Sequence, residues 1–92
     1  MVTSFVLINA LPARVADLAE ALADLPSVTE VYSVAGEYDL VAVIRVRHHD
    51  DLADVVTHEV GKLEGITRTR TLVAFRAYSK RDLEAMWEIG VD

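Results

Sequence analysis

The chain has 92 residues, 52% of them hydrophobic, a formal net charge of −6 and no cysteine. That length holds one domain with a single core, the lack of cysteine excludes disulfides, thiolate zinc ligands and thiol nucleophiles, and the scattered Lys and Arg, closest at Arg68/Arg70 and Lys80/Arg81, lack the basic stripe of a direct nucleic-acid binder. The apolar content exceeds the usual 45–50% or so, which predicts association with further copies, because large exposed apolar patches are rare on soluble monomers. Met1 to Ser4 carry no export signature, and no apolar run approaches the length of a membrane span, so a cytoplasmic protein is expected.

Phe5 to Ile8 is a short β-branched apolar run and reads as the first strand. Pro12 suits a first helical turn, where its missing N–H is not needed. Ala13 to Leu25 places Val15, Leu18, Leu22 and Leu25 on one helical face, and Pro26 stops it. Val28 to Ala35 is the second strand and Leu40 to Val46 the third. The short turn between them predicts an antiparallel hairpin. Asp50 is the expected N-cap of a helix running to about Leu63, with Leu52, Val55, Val56, Val60 and Leu63 inward, and Gly65 ends it. Thr67 to Tyr78 is the fourth strand. Ser79 and Asp82 form a capping-box-like start to a third, short helix with Leu83, Met86 and Trp87 on its apolar side.

Leu18, Leu22, Leu25 and Val28-Thr29 recur 38 residues later as Val56, Val60, Leu63 and Ile66-Thr67. Two βαβ halves of equal length imply an α+β, ferredoxin-like βαββαβ fold with a four-stranded antiparallel sheet. The nearly continuous apolar strands, first and third, belong in the centre and the more polar second and fourth at the edges. Both helices cover one face. Strands buried on both faces read as continuous apolar runs, so a second copy is expected to pack sheet to sheet, giving a dimeric α/β barrel. The expected division is a domain over residues 1–78 and a helical extension over 79–92.

The polar turn Gly36-Glu37-Tyr38-Asp39 is the candidate ligand site. Gly36 allows positive φ and close backbone approach, Tyr38 offers a hydroxyl and a flat wall, and Asp39 a carboxylate. Gly and Asp are also ordinary turn residues. Thr67, Thr69 and Thr71 recur at a spacing of two and share a face, continued by Val73 and Phe75. Such a row suits a small zwitterion, although threonine also simply favours strands.

Ala35-Gly36-Glu37-Tyr38-Asp39-Leu40 together with Gly65-Ile66-Thr67-Arg68-Thr69-Arg70-Thr71-Leu72 resembles the effector-binding (RAM) domain of the Lrp/AsnC, or feast/famine, regulators, over residues 1 to about 77. The resemblance implies a dimeric α/β barrel assembling further, often to octamers, with amino-acid effectors in clefts between dimers. It implies ligand-binding roles for Gly36, Glu37, Tyr38 and Asp39, with Thr69 and Thr71 nearby. Turn N–H groups would hold the α-carboxylate, and Asp39 or Thr hydroxyls the α-ammonium. Family regulators carry a helix-turn-helix ahead of the first strand. With that strand at Phe5 the chain is expected to be a stand-alone form, reaching transcription only through a full-length Lrp/AsnC partner.

Two other readings share the architecture: a cofactor-free monooxygenase of the dimeric α/β-barrel type, and an ACT-like regulatory domain. The first wants acid/base groups inside the barrel, where Asn9 alone stands as a candidate. The second favours a glycine after the first strand, where Asn9-Ala10-Leu11-Pro12 has none. His48-His49-Asp50-Asp51 sets adjacent side chains apart and is read as loop and cap rather than a metal site. His58 and Asp54 are an i, i+4 pair on a solvated helix face. No catalytic or cofactor-binding motif is present, so a non-enzymatic protein without cofactor or metal is expected.

Overall fold

β1 (Val2–Ala10) is the strand to which the rest of the sheet attaches in the computed structural model, which describes residues 1–80. It pairs antiparallel with β3 (Leu40–Val46) on one side and with β4 (Ile66–Val73) on the other. β2 (Val28–Ser33) completes the order β2-β3-β1-β4 through its antiparallel pairing with β3. This is the expected ferredoxin-like α+β sheet, with the apolar strands in the centre and the polar ones at the edges.

Alternation along each strand decides what faces the helices. Val6, Ile8 and Ala10 of β1 and Leu40, Ala42, Ile44 and Val46 of β3 are buried in one cluster with Leu18, Leu22, Leu52, Val55 and Val60. Full burial of a side chain such as Ile8 or Leu22 stabilises the fold by about 1.5–3 kcal/mol. The helices therefore share one face of the sheet.

α1 (Val15–Ala23) follows a 3₁₀ turn at Pro12–Arg14. The second helix begins at His49, not after an Asp50 cap. His48 is the N-cap residue and makes no side-chain cap bond, while Asp50 and Asp51 lie in the first turn of α2 (His49–Asp54). There their negative charge meets the positive end of the helix dipole. From Val55 to Val60 the backbone winds as a π-helix, closed by Gly61 N–H donating to the Val56 carbonyl at 3.0 Å. Val55 and Val60 are both buried, and the i→i+5 hydrogen bond replaces the α-helical winding expected through Leu63. The helical extension expected over 79–92, with Leu83, Met86 and Trp87, lies almost wholly outside the described residues.

β1 is longer than expected because Ser4 interrupts its apolar pattern while pointing into the core. The Ser4 side chain is fully buried, between Ile44 and Val73 in register, and its Oγ has no hydrogen-bond partner. An unpaired buried hydroxyl is unfavourable, so Ser4→Ala is expected to keep or raise stability, by up to about 1 kcal/mol, as read from the urea midpoint. A clear loss would mean that the hydroxyl has a partner.

The other sheet face is open. Thr3, Phe5, Leu7 and Asn9 of β1, Val41, Val43 and Arg45 of β3, Glu30 and Tyr32 of β2, and Arg68, Arg70 and Leu72 of β4 share it by register. Phe5 is 38%, Tyr32 50% and Leu72 49% exposed.

Candidate functional site

The candidate turn is built onto the end of β1. The Val34 N–H donates to the Asp39 carbonyl at 3.0 Å, which closes the hairpin, and the Asp39 N–H donates to the Ile8 carbonyl at 2.9 Å. The Asp39 carboxylate then accepts from the Ala10 N–H at 2.9 Å through Oδ2, and Asn9 Nδ2 donates to the Glu37 carbonyl at 2.7 Å. Three of these bonds cross from the turn to residues 8–10, so a neighbouring strand holds the loop in one shape. Gly36, at φ +129° and with open space where a Cβ would stand, forms the exposed tip. Tyr38 and Asp39 are half-buried, while Glu37 is exposed.

Asp39 thus has a structural task that its sequence context does not announce. One carboxylate oxygen satisfies the Ala10 amide, which lies on the β3 side of β1 just beyond the last β1–β3 pair, Ile8 with Leu40. Asn9 is the residue that sequence reasoning about the turn misses. Its place after an apolar run is the signal, since a polar side chain at a strand end next to a loop is free to bond the loop backbone.

Thr69 and Thr71 lie elsewhere on the sheet. In register Thr69 pairs with Ile8 and Thr71 with Val6, both core-facing positions, so the two hydroxyls share the helix side of β4 with Val73. The same bulge sets Thr67 out of this alternation, and Phe75 does not continue the row, because β4 ends at Val73 and Phe75 is 105% exposed. Thr69 lines a hollow of about 280 Å³ with Val56, Val60, Leu63 and Ile66. Thr71 lines another with Leu52, Val56 and Thr57. No residue of the turn borders either hollow. Leu40, Ile8 and Thr69 stand at one level on three successive strands, so turn and threonines are about 10 Å apart at the same end of the sheet, with β1 between them. Within one chain they do not form a common cleft.

The remaining polar groups point to no chemistry of their own. His58 and Asp54 stand 3.9 Å apart with both side chains exposed, the solvated pair that the spacing implies. Among the described residues no group of three or more His, Asp or Glu is placed to hold a metal ion. On the open face the Tyr32 hydroxyl donates to the Glu30 carboxylate, and that bond, with the carboxylate's charge, holds the phenol above its ordinary pKa.

The ferredoxin-like sheet with a clamped, glycine-tipped hairpin beside its central strand defines the chain as an α+β βαββαβ domain, a scaffold that by itself does not fix function. The chain belongs to the Lrp/AsnC family: the model of the Lrp/AsnC ligand binding domain matches residues 3–83. The crystal structure of TTHA0845 from Thermus thermophilus is 55% identical and superposes with a TM-score of 0.82, covering 87% of this chain and 100% of that one. A feast or famine regulatory protein from Mycobacterium tuberculosis, solved in complex with L-methionine, is 30% identical at a TM-score of 0.73, over 88% of this chain and 55% of its own. Among curated proteins, the HTH-type transcriptional regulator LrpA of Pyrococcus horikoshii is 35% identical over 57 residues, which are 62% of this chain and 40% of that protein. The chain spans about half or less of the length of the curated relatives it matches. Among the described residues no helix is long and apolar enough to cross a membrane.

Proposed function

We propose that this chain is an amino-acid-binding and oligomerisation module that acts by binding and assembly rather than by turnover. The observation that carries the reading is the clamped turn: four hydrogen bonds fix Gly36-Glu37-Tyr38-Asp39 in place and leave its glycine tip open. A preformed loop binds without the cost of ordering itself. The L-methionine complex of the M. tuberculosis relative supports an amino acid as the ligand class. The turn and the Thr69/Thr71 row do not meet within one chain, so the cleft is completed by a neighbouring copy, and effector occupancy is coupled to assembly. The open apolar face, with Phe5, Leu7, Val41, Val43 and Leu72, is covered by a second copy in a sheet-to-sheet dimer that associates further. The solved TTHA0845 chain is covered over its whole length by 87% of this chain, which supports a role for this domain without a DNA-binding segment of its own, reaching transcription through full-length Lrp/AsnC partners.

Thermal denaturation in the presence of each common amino acid tests the ligand. At a concentration one hundred times Kd the right one adds about 2.7 kcal/mol of stability. For a domain of this size each kcal/mol moves Tm by about 4–8 °C, so the shift is plain. No response to any amino acid at millimolar concentration would overturn the proposal.

A further inference from the structure

β4 is the strand that the helices leave bare. The buried core cluster draws on β1, β2, β3 and the helices but on no residue of β4. On the helix side of that strand Thr69 is exposed, Thr71 half-buried and Val73 41% exposed. The hollows at Thr69 and Thr71 adjoin at Val56, so they form one trough between β4 and the flank of α2 and the π-helix, with Leu63 and Ile66 at one end and Leu52 at the other. We propose that the occupant of this trough is the chain's own tail: the segment that follows the described residues docks there as a short helix, with Leu83 at the Thr71 hollow, Trp87 at the Thr69 hollow and Met86 over Val56.

Spacing, reach and charge argue for this occupant. Leu83, Met86 and Trp87 form the i, i+3, i+4 stripe by which an amphipathic helix enters a groove. Leu83 and Trp87 are about 6 Å apart along a helix axis, and Thr71 and Thr69 about 7 Å apart along a strand. The chain leaves β4 at Val73, which itself borders the Thr71 hollow. Residues 74–82 can span up to about 30 Å, ample for the tail to turn back and run opposite to β4. Charge selects the same direction. Asp50 borders the Thr71 hollow and Arg68 the Thr69 hollow. A tail running opposite to β4 brings Lys80 and Arg81 to the Asp50 end and Glu88 to the Arg68 end, whereas the reverse direction sets like against like at both ends. A helix this short is marginal alone, and tethering to β4 supplies the effective concentration that holds it in place. A docked tail also covers Thr69 and Thr71. It therefore competes with an effector for them, a consequence that rests on the effector reading above, as the docking itself does not.

Trp87 is the sole tryptophan, so its emission and its quenching by acrylamide report the docking directly. In wild type the emission should lie to the blue of the urea-unfolded chain, with weaker quenching. Thr69→Arg and Val73→Asp put a charge where the tail seats, and Leu83→Asp puts one on the tail itself. Each should move the emission to the red and lose the protection, while Glu20→Arg on the exposed side of α1 should change neither, with circular dichroism confirming the fold of every variant. A wild-type emission already at the unfolded position, or a blue emission that Thr69→Arg and Val73→Asp leave unmoved, would overturn the docking. An emission that reddens on dilution would show that a second copy's tail fills the trough, and would overturn the chain's own tail as occupant. With the tail released by Leu83→Asp, the amino-acid concentration that gives half the thermal shift should fall severalfold, because the competent state is no longer fractional. An equal concentration would overturn the competition alone.

Discussion

Replacing Asp39 by alanine is expected to destabilise the domain by about 1–3 kcal/mol, the cost of leaving a partly buried amide without its partner. The amide is that of Ala10, which donates to Asp39 Oδ2 at 2.9 Å. The side chain also helps set the turn against β1, since Asp39's own backbone bonds both Val34 and Ile8. At roughly 4–8 °C per kcal/mol, the loss is visible in a simple melt. Asp39→Asn keeps an oxygen to accept from Ala10 and should lose about half as much or less. The pair of variants separates two roles that alanine alone would merge. If Asp39 only holds the turn, the asparagine variant keeps its response to an amino-acid ligand. If its charge receives an α-ammonium, the asparagine variant is nearly as stable as wild type yet loses that response.

Gly65→Ala should be at least as damaging, at about 2–5 kcal/mol. Gly65 sits at φ +96°, where an L side chain costs about 1–2 kcal/mol. An added Cβ would also stand 2.7 Å from Arg14 Cβ and 2.8 Å from Arg14 Cγ. Because Arg14 Cβ is bonded directly to backbone, the clash forces the 3₁₀ turn at Pro12–Arg14 to shift, and overpacking of this kind typically adds about 1–3 kcal/mol. The Gly65 carbonyl, which accepts from the Leu11 N–H at 2.9 Å, would move with it. Gly36→Ala is the internal control, with positive φ but open space around the tip, so it should lose only the backbone term, about 1 kcal/mol. Urea denaturation of the two variants side by side checks the difference. Equal losses would mean that Arg14 yields without cost.

Where polarity follows position, the sequence predicts this fold well, and where it does not, prediction falls short. β3 is legible residue for residue because Leu40 to Val46 is apolar except at Arg45. The sheet order follows from the contrast between apolar and polar strands. Sequence makes β1 too short because Ser4 occupies a core position, and β4 too long because Ala74 to Tyr78 stays apolar enough to resemble strand after pairing ends. The π-helix at Val55–Val60 is hidden because six residues of wider winding are too few to distinguish from an α-helical stripe. The site is half legible. Gly36 at the tip of a hairpin follows from composition. The bulge that breaks the threonine row, and the amide that Asp39 satisfies, depend on pairings between segments some 30 to 60 residues apart and leave no local mark.

The central place of β1 bears on how the chain folds. Its partners are distant: Val2 pairs with Val46, and Ser4 with Val73. Among the described strands only β2 and β3 are joined by a short hairpin. Such non-local pairing must meet loop-closure entropy before any contact rewards it, and it slows folding relative to domains built from neighbouring elements. In synthesis the apolar β1 is made first and waits without its second neighbour until β4 has left the ribosome. Through that interval one of the most aggregation-prone segments of the chain has an exposed edge. β4, which closes the sheet, is by contrast polar, with Arg68 and Arg70 between its threonines, and polar strands are less prone to associate before they pair.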